Sequence, residues 1–283
     1  MHEASWAVVV PVKRLVAAKT RLRNTTSGVP HDQLVLALAE DTVRAALASP
    51  VVVEALVVTD DPAASAALGR LGARVVPDQP DAGLNAAIGY GAAMVAGPGR
   101  WVAALTADLP ALRPADLTGA LRAAAGAARR GFVPDAAGGG TTLLAAPPGV
   151  ALDPRFGPES AARHVASGAL LLDGDWPSLR RDVDTAADLA EAAGLGLGPC
   201  TARVWRDTTP TGATVHGMQG TVSEFDPQTR AGALLLDDGT PLAFDAAAFD
   251  ASGLRLLRLG QRVQVDRGAN GKVTRITIPT MRG

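Results

Sequence analysis

The stretch "WAVVVPVKRLVAAKTRL", residues 6 to 22, opens with seven residues that include no polar side chain and continues directly into a cationic segment. An apolar run without alternation reads as a strand buried on both faces, the mark of a parallel sheet covered by helices. The same texture returns in "VEALVVTD" (53 to 60), "ARVVPD" (73 to 78) and "WVAALTAD" (101 to 108). Between these runs lie "DQLVLALAEDTVRAALAS", "DPAASAALGRLG" and "LNAAIGYGAAMVAG", each of helical length. Strand and helix in alternation predict a doubly wound α/β sheet. Ligands of such sheets bind beyond the carboxyl ends of the strands, which directs attention to Lys13, Asp60, Asp61 and Asp108.

Further along, "GFVPDAAGGGTTLLAAPPG" (131 to 149) reads as a strand pair joined by a glycine-rich loop, and "TAADLAEAAG" supplies a last helix. Periodicity fades in "LGLGPCTARVWRDTTPTG" (195 to 212). The expected organisation is therefore a domain over 1–200, a linker over 201–211 and a second domain over 212–283. That last part shows short strands separated by Asp-Gly and Asn-Gly turns, the signal of hairpins.

Composition removes several function classes. Formal net charge is -1 with 19% charged residues, so no global basic field attracts nucleic acid or anionic membrane. One cysteine and four scattered histidines exclude a disulfide framework and a His/Cys zinc cluster, which fits a reducing cytoplasm. No apolar run reaches the length of a membrane span, and "MHEASW" is no export signal. There is no G-x-x-x-x-G-K-[ST] loop and no G-x-S-x-G elbow; "GANGKVT" (268 to 274) reads as a hairpin turn.

Lysine usage carries more information. Of 27 basic residues only three are lysines, and two of them, Lys13 and Lys19, follow the first strand with Arg14 and Arg21 beside them. They form either a solvated basic loop or a cationic seat for a triphosphate, where a compact ammonium differs from a planar guanidinium. Asp108 at a strand end suits a Mg²⁺ ligand, since that ion takes few protein oxygens; it stands too early to cap the helix expected near Pro114. In "RDVDTAADL", Asp184 is either a ligand or the N-cap of the next helix, which leaves Asp182 as the second metal candidate. "FGPESAARHVASG" offers a helix start at Gly157-Pro158-Glu159, with Ser160 at its third position, as a phosphate seat or simply a well-formed helix end. Thr141 follows the glycine-rich loop, Asn85 either reads a base edge or caps a helix, and His164 reads as a helix-face histidine rather than a base.

Six motifs in this order, "VPVKRLVAAKTRL", "GLNAAI", "LTADLPAL", "GGGTTLLAAPPG", "FGPESAARHVASG" and "DVDTAADL", resemble the CofC/FbiD guanylyltransferases of coenzyme F-420 biosynthesis. The resemblance covers residues 6 to about 197. It implies a nucleotidyltransferase (Rossmann-like) fold with a mixed doubly wound sheet, and a cytoplasmic enzyme that joins GTP to phosphoenolpyruvate or 2-phospho-L-lactate with release of pyrophosphate. It further implies Mg²⁺ on Asp108 and Asp182, the acceptor phosphate on Thr141, Gly157 and Ser160, and the nucleotide at Lys13, Lys19, Arg21 and Asn85, with Lys13, Lys19 and Asp108 catalytic. A homodimer and contact with the pathway's next transferase accord with it.

The tail resembles a cold-shock OB barrel, an all-β unit, but its expected nucleic-acid face keeps only Phe244, and residues 211 to 283 carry eight Lys/Arg against seven Asp/Glu. Stacking platforms and net positive charge are what such folds use on single strands, so nucleic acid is not the expected partner. The rival readings are a molybdenum-cofactor or sugar nucleotidyltransferase, disfavoured by the missing glycine-rich first loop, and a regulatory binding module with a degenerate catalytic domain, disfavoured by the intact lysines and aspartates.

Overall fold

A computed structural model describes residues 4–15, 19, 22, 30–208, 215–236, 239–267 and 272–278. Arg21 and the turn at 268–271 lie outside the described residues. The chain divides into two compact units, Met1–Thr208 and Thr209–Gly283.

The first unit runs β1 (Trp6–Pro11), α1 (His31–Leu47), β2 (Val52–Val58), α2 (Pro62–Arg70), β3 (Arg74–Val76), α3 (Leu84–Val95), β4 (Trp101–Leu105), α4 (Pro114–Ala127), β5 (Gly131–Pro134) and β6 (Thr141–Ala146). It continues through α5 (Ser160–Ala166), β7 (Leu170–Leu171), α6 (Pro177–Arg180), α7 (Ala186–Leu195) and α8 (Pro199–Thr208). The sheet order is β3-β2-β1-β4-β6-β5-β7. Strand β1 pairs in parallel with β2 and β4, whereas β6 runs antiparallel to β4 and β5. The doubly wound mixed sheet is thus present.

Both faces of β1 are covered, which is why its sequence lacks alternation. Trp6, Val8 and Val10 pack in one core with Val43 of α1 and Leu117 and Leu121 of α4. Ala7 and Val9 point the other way, against Ala87 and Val95 of α3. Helix α3 comes close enough that a Cβ on Gly91 would stand 2.6 Å from Val9 Cγ1 and 2.9 Å from Val58 Cγ2, so a larger residue there would push the helix off the sheet.

The segment read as a linker differs from expectation. Residues 201–208 belong to α8, which packs Cys200 and Val204 beside Leu34 and Leu38 of α1. The buried Asp41 of α1 accepts hydrogen bonds from Cys200 N (3.0 Å) and Thr201 N (2.7 Å). This carboxylate caps α8 from another helix, and such a cap leaves no local signature. Cys200 is a free cysteine buried in that packing.

The second unit is an antiparallel sheet of β8 (Val215–Asp226), β9 (Ala231–Leu236), β10 (Pro241–Phe244), β11 (Arg262–Arg267) and β12 (Val273–Thr277), with the short helix α9 (Ala246–Asp250) before β11. Its order is β10-β9-β8-β11-β12, and β12 also approaches β10, as in a partly open five-stranded OB-like barrel. Phe244 is buried and stacks on Phe225, which in turn meets Phe249, instead of standing on a surface platform.

Candidate active site

The parallel pairing of β1 and β4 delivers their carboxyl ends to one edge of the sheet. Strand β5 runs the same way as β4, because each is antiparallel to β6. The end of β5 and the start of β6 therefore reach that edge as well. A cleft of about 750 Å³ opens there, lined by Lys13 and Lys19 after β1, Asp108 after β4, Asp135 after β5, and Thr141 at the start of β6. Gly157, Ser160, Asp182 and Asp184 complete its wall.

Backbone contacts place the segments that carry the acidic side chains. Leu109 N donates to Thr42 Oγ1 of α1 at 3.0 Å, anchoring the chain just after Asp108. Val183 N donates to Asp108 O at 3.0 Å and draws residues 182 to 184 alongside. Asp135 accepts from Gly140 N at 2.8 Å, which folds the glycine-rich loop back on itself. Asp184 does not cap α7: Thr185 does, in a capping box with Asp188. Asp184 is instead paired with the Lys19 ammonium, which is also paired with Asp108. Lys19 holds a positive φ of 51°. Asp108 does not cap α4, whose N-cap is Arg113.

The electrostatics follow from this crowding. Burial works against the charge on Lys19, but Asp108 and Asp184 outweigh it and hold the ammonium above the ordinary lysine range. Burial, with the negative charge of Asp108 and, less strongly, of Asp135 and Asp184, pushes the Asp182 carboxyl up to about 7, although Lys19 opposes the shift. One oxygen each of Asp108 and Asp135 is buried without a hydrogen-bond partner among the described residues. The cluster has more negative charge than a single lysine neutralises.

The other candidates take the following places. Thr141 is buried, with its hydroxyl 2.9 Å from His164 Nδ1. Ser160 is the first residue of α5, not the third, because Glu159 is the N-cap, with a φ of 54°. Asn85 neither caps nor presents a free edge: its amide accepts from Phe156 N at 2.7 Å and donates to Phe156 O at 3.1 Å. It thereby holds the segment that leads to Gly157. Asp60 and Asp61 are structural, accepting from Asp78 N and from Leu15, Ala63 and Ala64 N respectively.

The family model described as guanylyl transferase CofC-like matches residues 6–199. The chain belongs to that family. A phosphoenolpyruvate guanylyltransferase of Salinispora arenicola is 65% identical over 207 residues, covering 73% of this chain and 96% of that protein. One from Geodermatophilus obscurus is 60% identical over 203 residues, 70% and 93% of the two chains, and one from Thermomonospora curvata is 56% identical over 204 residues, 71% and 88%. This guanylyltransferase-family chain thus has all its cleft residues inside the matched segment. Asp135 is absent from the sequence-based candidates, although it follows β5 immediately, whereas Asp108 stands three residues beyond the end of β4. Applying the strand-end rule to "GFVPD" would have found it.

Among the described residues no three His, Cys, Asp or Glu side chains converge closely enough to hold a metal by themselves. A cation here would take one or two carboxylates and fill its remaining positions with phosphate and water, the habit of Mg²⁺. The unpartnered oxygens of Asp108 and Asp135 and the raised Asp182 fit that requirement. No described helix is long and apolar enough to cross a membrane.

Proposed function

We propose that this chain transfers the guanylyl group of GTP to phosphoenolpyruvate, in the cytoplasm, as a step of coenzyme F-420 biosynthesis. The observation that carries this reading is the Lys19 ammonium enclosed by Asp108 and Asp184 in a cleft that also contains Thr141, Gly157 and Ser160. The names of the relatives at 56–65% identity support the choice of acceptor.

In this reading Thr141, Gly157 and Ser160 hold the acceptor's phosphate while Lys13 and Lys19 receive the triphosphate. An acceptor phosphate oxygen attacks the α-phosphorus of GTP; the bond from that phosphorus to the β-bridging oxygen breaks, and pyrophosphate leaves with the electron pair. No general base is required, since the attacking oxygen is already anionic. The lysines' part is to stabilise the charge that accumulates on the leaving group, since fixed charges of this kind accelerate such a step by stabilising its transition state. A divalent cation on Asp108 and Asp182 would screen the phosphates from one another. Asn85 acts as the holder of the Phe156-Gly157 segment, not as a reader of the base. All the residues given a role in this chemistry belong to Met1–Thr208.

The test is pyrophosphate release from GTP with phosphoenolpyruvate and 2-phospho-L-lactate offered separately, with Asp108→Asn alongside. Phosphoenolpyruvate should support turnover, and the variant should lose it while melting normally. Turnover with phospholactate alone would transfer the reading to that acceptor, and near-normal Asp108→Asn activity at limiting Mg²⁺ would remove Asp108 from the metal site.

A further inference from the structure

We propose that His164 is the positioning residue that turns the Thr141 hydroxyl proton into the cleft, and so sets the enzyme's grip on the acceptor phosphate. The inference rests on the reading that Thr141 contacts that phosphate. His164 is completely buried in α5, between the rings of Phe132 and Phe156, and has a polar partner on each ring nitrogen. The backbone N–H of Arg155 meets Nε2 at 3.0 Å, and the Thr141 hydroxyl meets Nδ1 at 2.9 Å.

The first contact decides the second. A backbone N–H can only donate, so Nε2 accepts and carries no proton. A neutral imidazole then has its single proton on Nδ1 and donates it to Thr141 Oγ1. Threonine has one hydroxyl proton and two lone pairs. With a lone pair filled by His164, the Thr141 proton is left to point elsewhere, and Thr141 lines the cleft. The opposite tautomer would spend that proton on the ring and turn a lone pair toward the phosphate, which repels an anion.

The surroundings keep the ring neutral. Burial, reinforced by the charges of Arg163, Arg130 and Arg155 and opposed only by Asp153, pushes the imidazole down to about 4. Protonating Nε2 would also set two N–H groups against each other at Arg155. His164 is therefore neither acid nor base here. It is a fixed dipole that acts through Thr141.

Two substitutions separate the ring's ends. His164→Gln can place an acceptor near Nε2 but leaves nothing at Nδ1; His164→Asn keeps a donor near Nδ1 and leaves nothing at Nε2. Thr141→Val and His164→Gln should each raise the KM for phosphoenolpyruvate about tenfold, a low-end figure for one hydrogen bond to a charged group, with the GTP KM within about twofold. His164→Asn should restore most of the affinity, and Thr141→Val/His164→Gln should be no worse than Thr141→Val. A raised KM in Thr141→Val with a wild-type value in His164→Gln overturns the His164 inference alone, as do multiplying effects in the double variant. A wild-type KM in Thr141→Val overturns the phosphate reading, and this inference with it. If the histidine variants do not fold, ¹⁵N imidazole spectra of the wild-type protein still decide: a protonated Nδ1 and bare Nε2 support the proposal, and the reverse tautomer sinks it.

Discussion

The Lys19 ammonium and the Asp108 carboxylate, 89 positions apart in the chain, form an ion pair inside the cleft. Asp184 grips the same ammonium from a further segment. A chain that otherwise writes arginine almost everywhere retains lysine at a place where three charged groups crowd together and a compact cation on a flexible stem is suited to the space.

Lys19→Arg should therefore cost on the order of 100-fold in kcat although charge is kept, because a displacement of about 1 Å in the reacting groups has that effect. Lys13→Arg should cost less, since Lys13 lines the cleft from an exposed position. Steady-state kinetics with melting curves as a control measure both. Wild-type rates in Lys19→Arg would show that the pairing is incidental to turnover.

Asp182 predicts a pH effect on stability. Its carboxyl sits near 7 in the folded protein, against about 3.9 for an unperturbed aspartate. Between those values the folded state retains a proton that the unfolded chain has released, so this group makes stability fall as pH rises from about 4 to about 7. Asp182→Asn removes the effect. In metal-free buffer the variant's advantage over wild type should grow from near zero at pH 4 to roughly 1–2 kcal/mol at pH 8. His164, whose imidazole is pushed down to about 4, acts in the opposite sense, but it is present in both proteins and cancels. A pH-independent difference would show that Asp182 is not held in its neutral form.

The α8 cap offers a test remote from the cleft. Asp41→Ala strips two backbone N–H groups of their acceptor in a buried setting. It should cost about 1–3 kcal/mol, read as a Tm lower by roughly 3–10 °C. Turnover at 20 °C should be unchanged. An unaltered Tm would mean that α8 is held by apolar packing alone.

Removing residues 209 to 283 should leave guanylyl transfer near wild type, since every residue assigned to the cleft lies within Met1–Thr208. The measurement is pyrophosphate release by the shortened chain, with circular dichroism as evidence of folding. A folded but inactive product would assign the second unit a role in the site.

Much of the fold was legible along the chain. Strands buried on both faces need uninterrupted apolar runs, so β1, β4 and the buried second half of β2 were visible as such, and Asp-Gly turns exposed the all-β tail. Lys19, Asp108 and Asp182 were likewise marked by residue type at the ends of elements. Tertiary structure alone decided the rest. The start of β6, with Thr141, reaches the cleft because β6 runs antiparallel to its neighbours, and local sequence does not state strand direction. The Thr185–Asp188 capping box of α7 is local, but the pairing of the uncommitted Asp184 with Lys19 is made across the fold. Asp41 caps α8 from another helix. The ring of His164 acquires its tautomer from a backbone N–H nine residues away. These partners stand on other segments of the chain, and a hydrogen bond or charge pair made across the fold depends on where the chain returns, which residue order along one segment does not encode.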